Sequence, residues 1–247
     1  VQNGGGGDKT KTASKSIIGK YLPPHLRRLQ VRDEDDVDVA LKRQIGSHLN
    51  RLVSNNLLRI SNVMNAYYHG EDNKYSRKQV SKALCECIKS MIDKEEEVAA
   101  LNSIILCLAA LLASMYFNNG VFVGSQIMEL LTDYFNDSMD DEEKRNESKF
   151  VHNLVRLLSY LYLFEMVSSK YLIEILLAFM EHCDAGNFQL ICIPMQVCGA
   201  DLRNSDPLKF KDLIVLICQK SKQFETECST KHAIDIEKAM KLVYEIK

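Results

Sequence analysis

The sequence predicts an all-α chain: a right-handed solenoid of about five antiparallel helix pairs of the HEAT-repeat type, preceded by an extended amino-terminal arm. Three observations predict it. Breakers are sparse, with 11 glycines, four of them in the tract Gly4–Gly7, and four prolines; an all-β chain would need a turn signal about every 8–12 residues. Apolar residues recur at three- and four-residue spacing from Val37 onward, which is the period of one helix face. The helical segments fall into pairs whose starts, at 37, 76, 121, 169 and 207, lie 39, 45, 48 and 38 residues apart, a drift around the period of HEAT-type repeats.

Residues 1–35 form the first division of the chain and 36–247 the second. The arm combines the glycine tract, Lys, Ser and Thr residues and the Pro23-Pro24 pair without apolar period, the composition of a disordered or extended segment. Residues 1–32 hold seven Lys or Arg against one acid, and Asp33, Glu34, Asp35, Asp36 and Asp38 follow at once. Lys20, Tyr21, Pro23, Pro24, Arg27 and Arg28 are candidates for a strap along RNA or a partner protein. A solubilising linker is the plainer alternative.

The first pair carries Val37, Leu41, Ile45, Leu49 and Leu52 on one helix and Leu57, Ile60, Met64 and Tyr67 on the next. The break falls near Ser54 and Asn55, either of which suits the N-cap of the second helix. The remaining pairs span about 76–91 with 95–117, 121–137 with 148–167, 169–182 with 185–200, and 207–223 with 229–246. The helix over 148–167 is apolar on so much of its circumference that it belongs in the middle of the stack. The run from Asp137 to Lys149 reads as a solvated loop before it. No pair can bury both faces alone, so stacking is required, and the exposed edges and turns of such a stack bind macromolecules.

Composition narrows the function. A net charge of −2 and a pI near 6.3 supply no overall attraction to nucleic acid. The eight cysteines include no Cys-x-x-Cys pair, and Cys85 and Cys87 would point about 200° apart on a helix, so free thiols in a reducing compartment are expected and no metal. The apolar stretch from Ile104 to Phe117 falls short of a membrane span, and no signal pattern opens the chain; a soluble, non-secreted protein is expected. Walker, Gly-x-Ser-x-Gly and His-Glu-x-x-His motifs are absent. His182 beside Cys183 diverges by about 100° on a helix, too far for a thiolate–imidazole pair. The reading is therefore no enzyme, no cofactor and no small-molecule substrate.

The segment Leu49-Asn50-Arg51-Leu52-Val53-Ser54-Asn55-Asn56-Leu57 resembles the Leu-Asn-Lys-Leu-Thr-x-x-Asn-Phe stretch of the middle domain of the translation initiation factor 4G family. Lys20-Tyr-Leu-Pro-Pro-His-Leu-Arg-Arg28 and Tyr75-Ser-Arg-Lys78 resemble elements of the family's nucleolar, ribosome-biogenesis version. Leu161–Val167 with Tyr171–Leu176, and Cys198–Pro207 with Phe210–Ile214, are similar to later family segments, so that the likeness spans roughly 18–246. The resemblance implies a scaffold for a DEAD-box RNA helicase of the initiation factor 4A type, in the nucleus and nucleolus, acting in 18S rRNA processing on pre-ribosomal RNA or particles and monomeric alone. It implies that the first inter-helix turn, Asn50, Arg51, Leu52, Asn55 and Asn56, contacts one RecA-like lobe of the helicase. Arg203, Asp206, Lys209 and Lys211 in the last repeats would meet the other. There the family's Arg-Lys-Asp-Asp is replaced by Arg203-Asn204-Ser205-Asp206, with one cation and one acid fewer. The same fold serves splicing, nonsense-mediated decay and translation in other members, and a HEAT-type adaptor without a helicase is a further alternative.

Overall fold

The computed structural model describes residues 24–69, 75–93, 98–140, 149–184, 188–227 and 230–246. The chain divides into two compact units, Val1–Val37 and Asp38–Lys247. Ten α-helices are seen among the described residues: α1 (Pro24–Leu49), α2 (Leu57–His69), α3 (Arg77–Ile92), α4 (Val98–Asn119), α5 (Val121–Asp140), α6 (Lys149–Leu163), α7 (Ser169–His182), α8 (Cys192–Ser205), α9 (Pro207–Glu227) and α10 (Thr230–Ile246). Short 3-10 turns, Ser54–Asn56 and Phe188–Ile191, lead into α2 and α8.

The first helix begins at Pro24, well before the expected start near 37. Proline at a first helical position lacks only an N–H that would have no partner there, and its φ is already helical. The expectation of an extended arm is therefore corrected for residues 24–35, which are helical and include Arg27 and Arg28. Lys20, Tyr21, Pro23 and the glycine tract lie outside the described residues, as does 141–148 of the acidic run.

Later starts follow local chemistry. Ser76 forms a capping box with Gln79: its hydroxyl accepts the Gln79 N–H at 3.2 Å, and Gln79 Oε1 accepts the Ser76 N–H at 2.9 Å. Ser168 Oγ accepts the Tyr171 N–H, and Asp206 Oδ1 accepts the Lys209 N–H beside Pro207. Such caps each stabilise a helix by about 1 kcal/mol. Between α4 and α5, Gly120 takes a φ of 85°, the left-handed value that ends a helix in one residue. After α6 the same place is held by Glu165, φ 58°. The Glu165 and Met166 N–H groups donate back to Tyr162 O and Leu161 O, both at 3.0 Å, a Schellman closure.

Within the second unit the helices stack in register. From α1 to α3, Gln79 donates to Asp38 at 2.8 Å, Lys42 pairs with Glu86 at 3.0 Å and the Cys87 thiol donates to Lys42 O at 3.4 Å. Residue numbers rise together, so the two helices run parallel. The same holds from α7 to α9 through Glu174–Lys209 and Glu181–Lys220, from α2 to α4 through Ser61–Ser114 and Asn65–Asn119, and from α6 to α8 through Ser159–Cys198 and Tyr162–Ser205. First helices of successive hairpins thus form one layer and second helices the other. The carboxyl ends of the first helices lie at one edge, with the turn from α1 to α2, and their amino ends at the opposite edge, with the described turns from α4 to α5, α6 to α7 and α8 to α9.

The core runs between these layers. α4 packs on α2, α5 and α6, and α6 on α4 and α8; Leu108, Leu111 and Leu112 of α4 and Leu154, Leu157 and Leu161 of α6 are fully buried. The 18 residues Asn102–Asn119 have the length and mean hydropathy, 1.3, of a membrane span. The expectation that this apolar stretch falls short of a span is thus corrected; half of these residues are buried within the fold, where α4 packs on α2, α5 and α6. Asn153 on α6 donates to Ile92 O, the last carbonyl of α3, at 2.7 Å, satisfying a helix end in the interior.

Seven cysteines are described and all are free. Burial, reinforced by Glu86 and Cys87, pushes the Cys85 thiol up to about 12. Burial does the same to Cys198, partly offset by a hydrogen bond with Ser159. In the unfolded chain these thiols ionise near the ordinary value of about 8.5. The unfolded state therefore sheds protons first as pH rises, and the stability present below that value is lost above it. The urea midpoint is expected to fall between pH 8 and pH 10, each thiol costing up to about 1.4 kcal/mol per pH unit inside the window.

Gly46 sits in the interior of α1, where glycine costs roughly 0.5–1 kcal/mol relative to alanine. A Cβ there would meet only Cys87 Sγ, at 3.6 Å, an ordinary van der Waals contact. Gly46→Ala is accordingly expected to stabilise the fold by that amount, read as a raised thermal midpoint.

Candidate functional site

The turn between α1 and α2 projects from the edge that carries the carboxyl ends of the first helices. Three backbone bonds close it: Asn50 N–H to Gly46 O at 2.9 Å, Arg51 N–H to His48 O at 3.2 Å and Leu52 N–H to Leu49 O at 2.9 Å. Asn56 then ties it from the far side, its Oδ1 accepting the Val53 N–H at 2.9 Å and its Nδ2 donating to Arg51 O at 2.6 Å. The cap expected of Ser54 or Asn55 on the second helix is not among the bonds seen; Asn56 instead bonds back across the turn, to Arg51 and Val53. Asn56→Ala is expected to cost about 1 kcal/mol and to speed hydrogen exchange at the Val53 amide, whose acceptor it removes.

Five residues were expected to form one contact set, and the structure divides them. Leu52 is buried, with Leu49 and Ile60, and anchors the turn from inside. Asn56 shapes the turn. Asn50, Arg51 and Asn55 are exposed. Two apolar residues join them, Val53 at 52% exposure and Leu58 at 76%, with the exposed Arg59 beside them. Sequence periodicity passed over Leu58; the doublet Leu57-Leu58 at a helix start was its signal, because adjacent helical residues diverge by about 100° and both cannot face the core. Exposed apolar side chains beside amides and cations suit a protein-binding surface.

The second expected set lies at the opposite edge, in the turn from α8 to α9. Arg203 Nη1 donates to Ile246 O at 2.6 Å, Asp206 caps α9 and Lys209 pairs with Glu174 at 3.1 Å. Lys211 is exposed on α9. The structure does not bring this set together with the first turn. The same edge carries a patch that sequence reasoning missed, Phe117, Val121 and Phe122 around Gly120, each more than 60% exposed; its signal was the apolar run flanking an Asn-Asn-Gly turn. Among the described residues no cluster of His, Cys, Asp and Glu suits a metal ion.

Comparison with known proteins agrees with this architecture. Residues 43–247 match the MIF4G domain family. The chain is similar to Suppressor of glycerol defect protein 1 of Saccharomyces cerevisiae, at 23% identity over 224 residues covering 87% of this chain and 24% of that protein. It is similar to Nucleolar MIF4G domain-containing protein 1 of Mus musculus, at 27% over 199 residues, 79% of this chain and 22% of that protein. The Homo sapiens protein of the same name gives 26% over 209 residues, 81% of this chain and 23% of that protein. The chain spans about a quarter of the length of these relatives. With a match that begins inside α1 and runs through α10, the chain belongs to the MIF4G domain family.

Proposed function

We propose that the chain is a non-catalytic scaffold that binds and regulates a DEAD-box RNA helicase of the initiation factor 4A type, in small-subunit rRNA processing in the nucleolus. The observation that carries this reading is the first turn, a rigid loop tied by Asn56 that presents Asn50, Arg51, Val53 and Leu58 to solvent. Family membership supports the scaffold role, and relatives named as nucleolar support the compartment. The action is positional. A helicase with two RecA-like lobes changes their separation as it turns over, and a scaffold that touches both favours the conformer suiting both contacts, through the high effective concentration of a tethered lobe. Asn50 and Arg51 anchor one lobe. Arg203, Asp206, Lys209 and Lys211 are proposed for the other, where Arg203 must first release Ile246 O and Lys209 its partner Glu174.

A general adaptor is the second reading, favoured by the apolar patch Phe117, Val121 and Phe122, which lies at the edge away from the first turn. Calorimetric titration of the chain with helicases of the 4A type separates the two. Saturable binding at one-to-one stoichiometry is expected; flat titrations with every such helicase leave the adaptor reading.

A further inference from the structure

Beside the first turn, a groove of about 350 Å³ opens between α1 and α3. Val39, Gly46, Cys87 and Met91 give it an apolar lining, and Arg43 and Asn50 stand at its rim. Three features set it apart from an ordinary gap between helices. Gly46 leaves it open at a cost to the helix, although a Cβ would fit against Cys87 at 3.6 Å, so packing within the chain does not demand glycine there. Val39 is 57% exposed at its side, which leaves an apolar side chain in water. The lining holds two cations, Lys42 and Arg43, and no carboxylate. Lys42 is already paired with Glu86 at 3.0 Å, which leaves Arg43 to face an incoming group.

We infer that this groove receives an apolar side chain of the helicase lobe docked on the first turn, with a carboxylate of that lobe beside it reaching Arg43 and Asn50. The inference rests on the helicase reading above and deepens it, extending the contact from the turn along α1. Charge complementarity selects the occupant: an apolar residue next to an acid fits a lining that is apolar below and cationic at the rim, whereas a basic segment would meet Arg43 unpaired. Continuity with the turn selects the source, since Asn50 belongs both to the groove and to the exposed face of the turn.

The test uses the whole chain, a 4A-type helicase and variants that fill the groove without touching the turn. Gly46→Ala is expected to raise the thermal midpoint and weaken helicase binding about three- to tenfold. Gly46→Leu, which occupies more of the groove, is expected to weaken it at least thirtyfold. Arg43→Glu should weaken binding at least tenfold with the melting curve unchanged. A Gly46→Ala protein that is more stable and less able to bind cannot owe its defect to misfolding. If the Gly46 variants and Arg43→Glu bind as wild type while Arg51→Glu abolishes binding, the groove inference is overturned and the helicase reading stands. If the wild-type chain binds no 4A-type helicase, the reading and the inference fall together.

Discussion

Replacing Asn50 by Asp and Arg51 by Glu in one protein is expected to abolish the proposed helicase binding and to leave the fold intact. Both side chains are exposed on the first turn, and the bond that Asn50 gives the fold comes from its backbone N–H to Gly46 O, which either substitution keeps. Helix content and melting temperature are therefore expected to stay at wild-type values. In the proposed complex, a cation desolvated against a partner carboxylate would be replaced by a like charge. Stranding one partner of such a pair costs about 2–5 kcal/mol, or roughly thirtyfold to several thousandfold in affinity. Calorimetry beside a melting curve checks both halves. Retained affinity would mean that the turn is solvent-facing and nothing more.

The second large effect is on stability. Leu154→Ala in α6 is expected to destabilise the chain by about 3–5 kcal/mol. Leu154 is fully buried on the helix that packs against both α4 and α8, and a Leu-to-Ala cavity costs most where the surroundings cannot collapse. Here they are held: Asn153, its neighbour, is fixed to Ile92 O, Arg156 to Asn102, and Ser159 to Val155 O. Because a repeat stack derives its stability from nearest-neighbour interfaces, damage at the central repeat loosens both halves. Urea unfolding followed by far-ultraviolet circular dichroism reads the loss; a midpoint within error of wild type would place α6 outside the core.

Much of this architecture is legible in the sequence because local and global signals agree. Ser76 with Gln79, Ser168, Asp206 with Pro207, and Gly120 each mark a boundary by chemistry that works within one turn of chain, and α3, α5, α7 and α9 begin at Arg77, Val121, Ser169 and Pro207 as the periodicity implies. The start of α1 escaped because its first apolar residues, Leu26, Leu29 and Val31, are cut off from the period that resumes at Val37 by the charged run Arg32–Asp36. The site was legible in its position and not in its division of labour. Leu52 and Leu58 are both leucines beside the turn, yet one is 4% exposed and the other 76%; which of them faces inward depends on how the 3-10 turn Ser54–Asn56 rotates α2 relative to α1. Asn55 and Asn56 are adjacent and identical, and only the folded turn selects Asn56 as the one that binds Arg51 O and the Val53 N–H. The separation of the two expected contact sets to opposite edges follows from the parallel register of successive hairpins, which no local pattern encodes.

Hydrogen–deuterium exchange of the chain, alone and saturated with a 4A-type helicase, tests the central claim most directly. Slowed exchange is expected across Asn50–Leu58 and the adjoining faces of α1 and α3 around Gly46 and Met91. Protection confined to the Phe117–Phe122 turn, or none at saturating helicase, would contradict it.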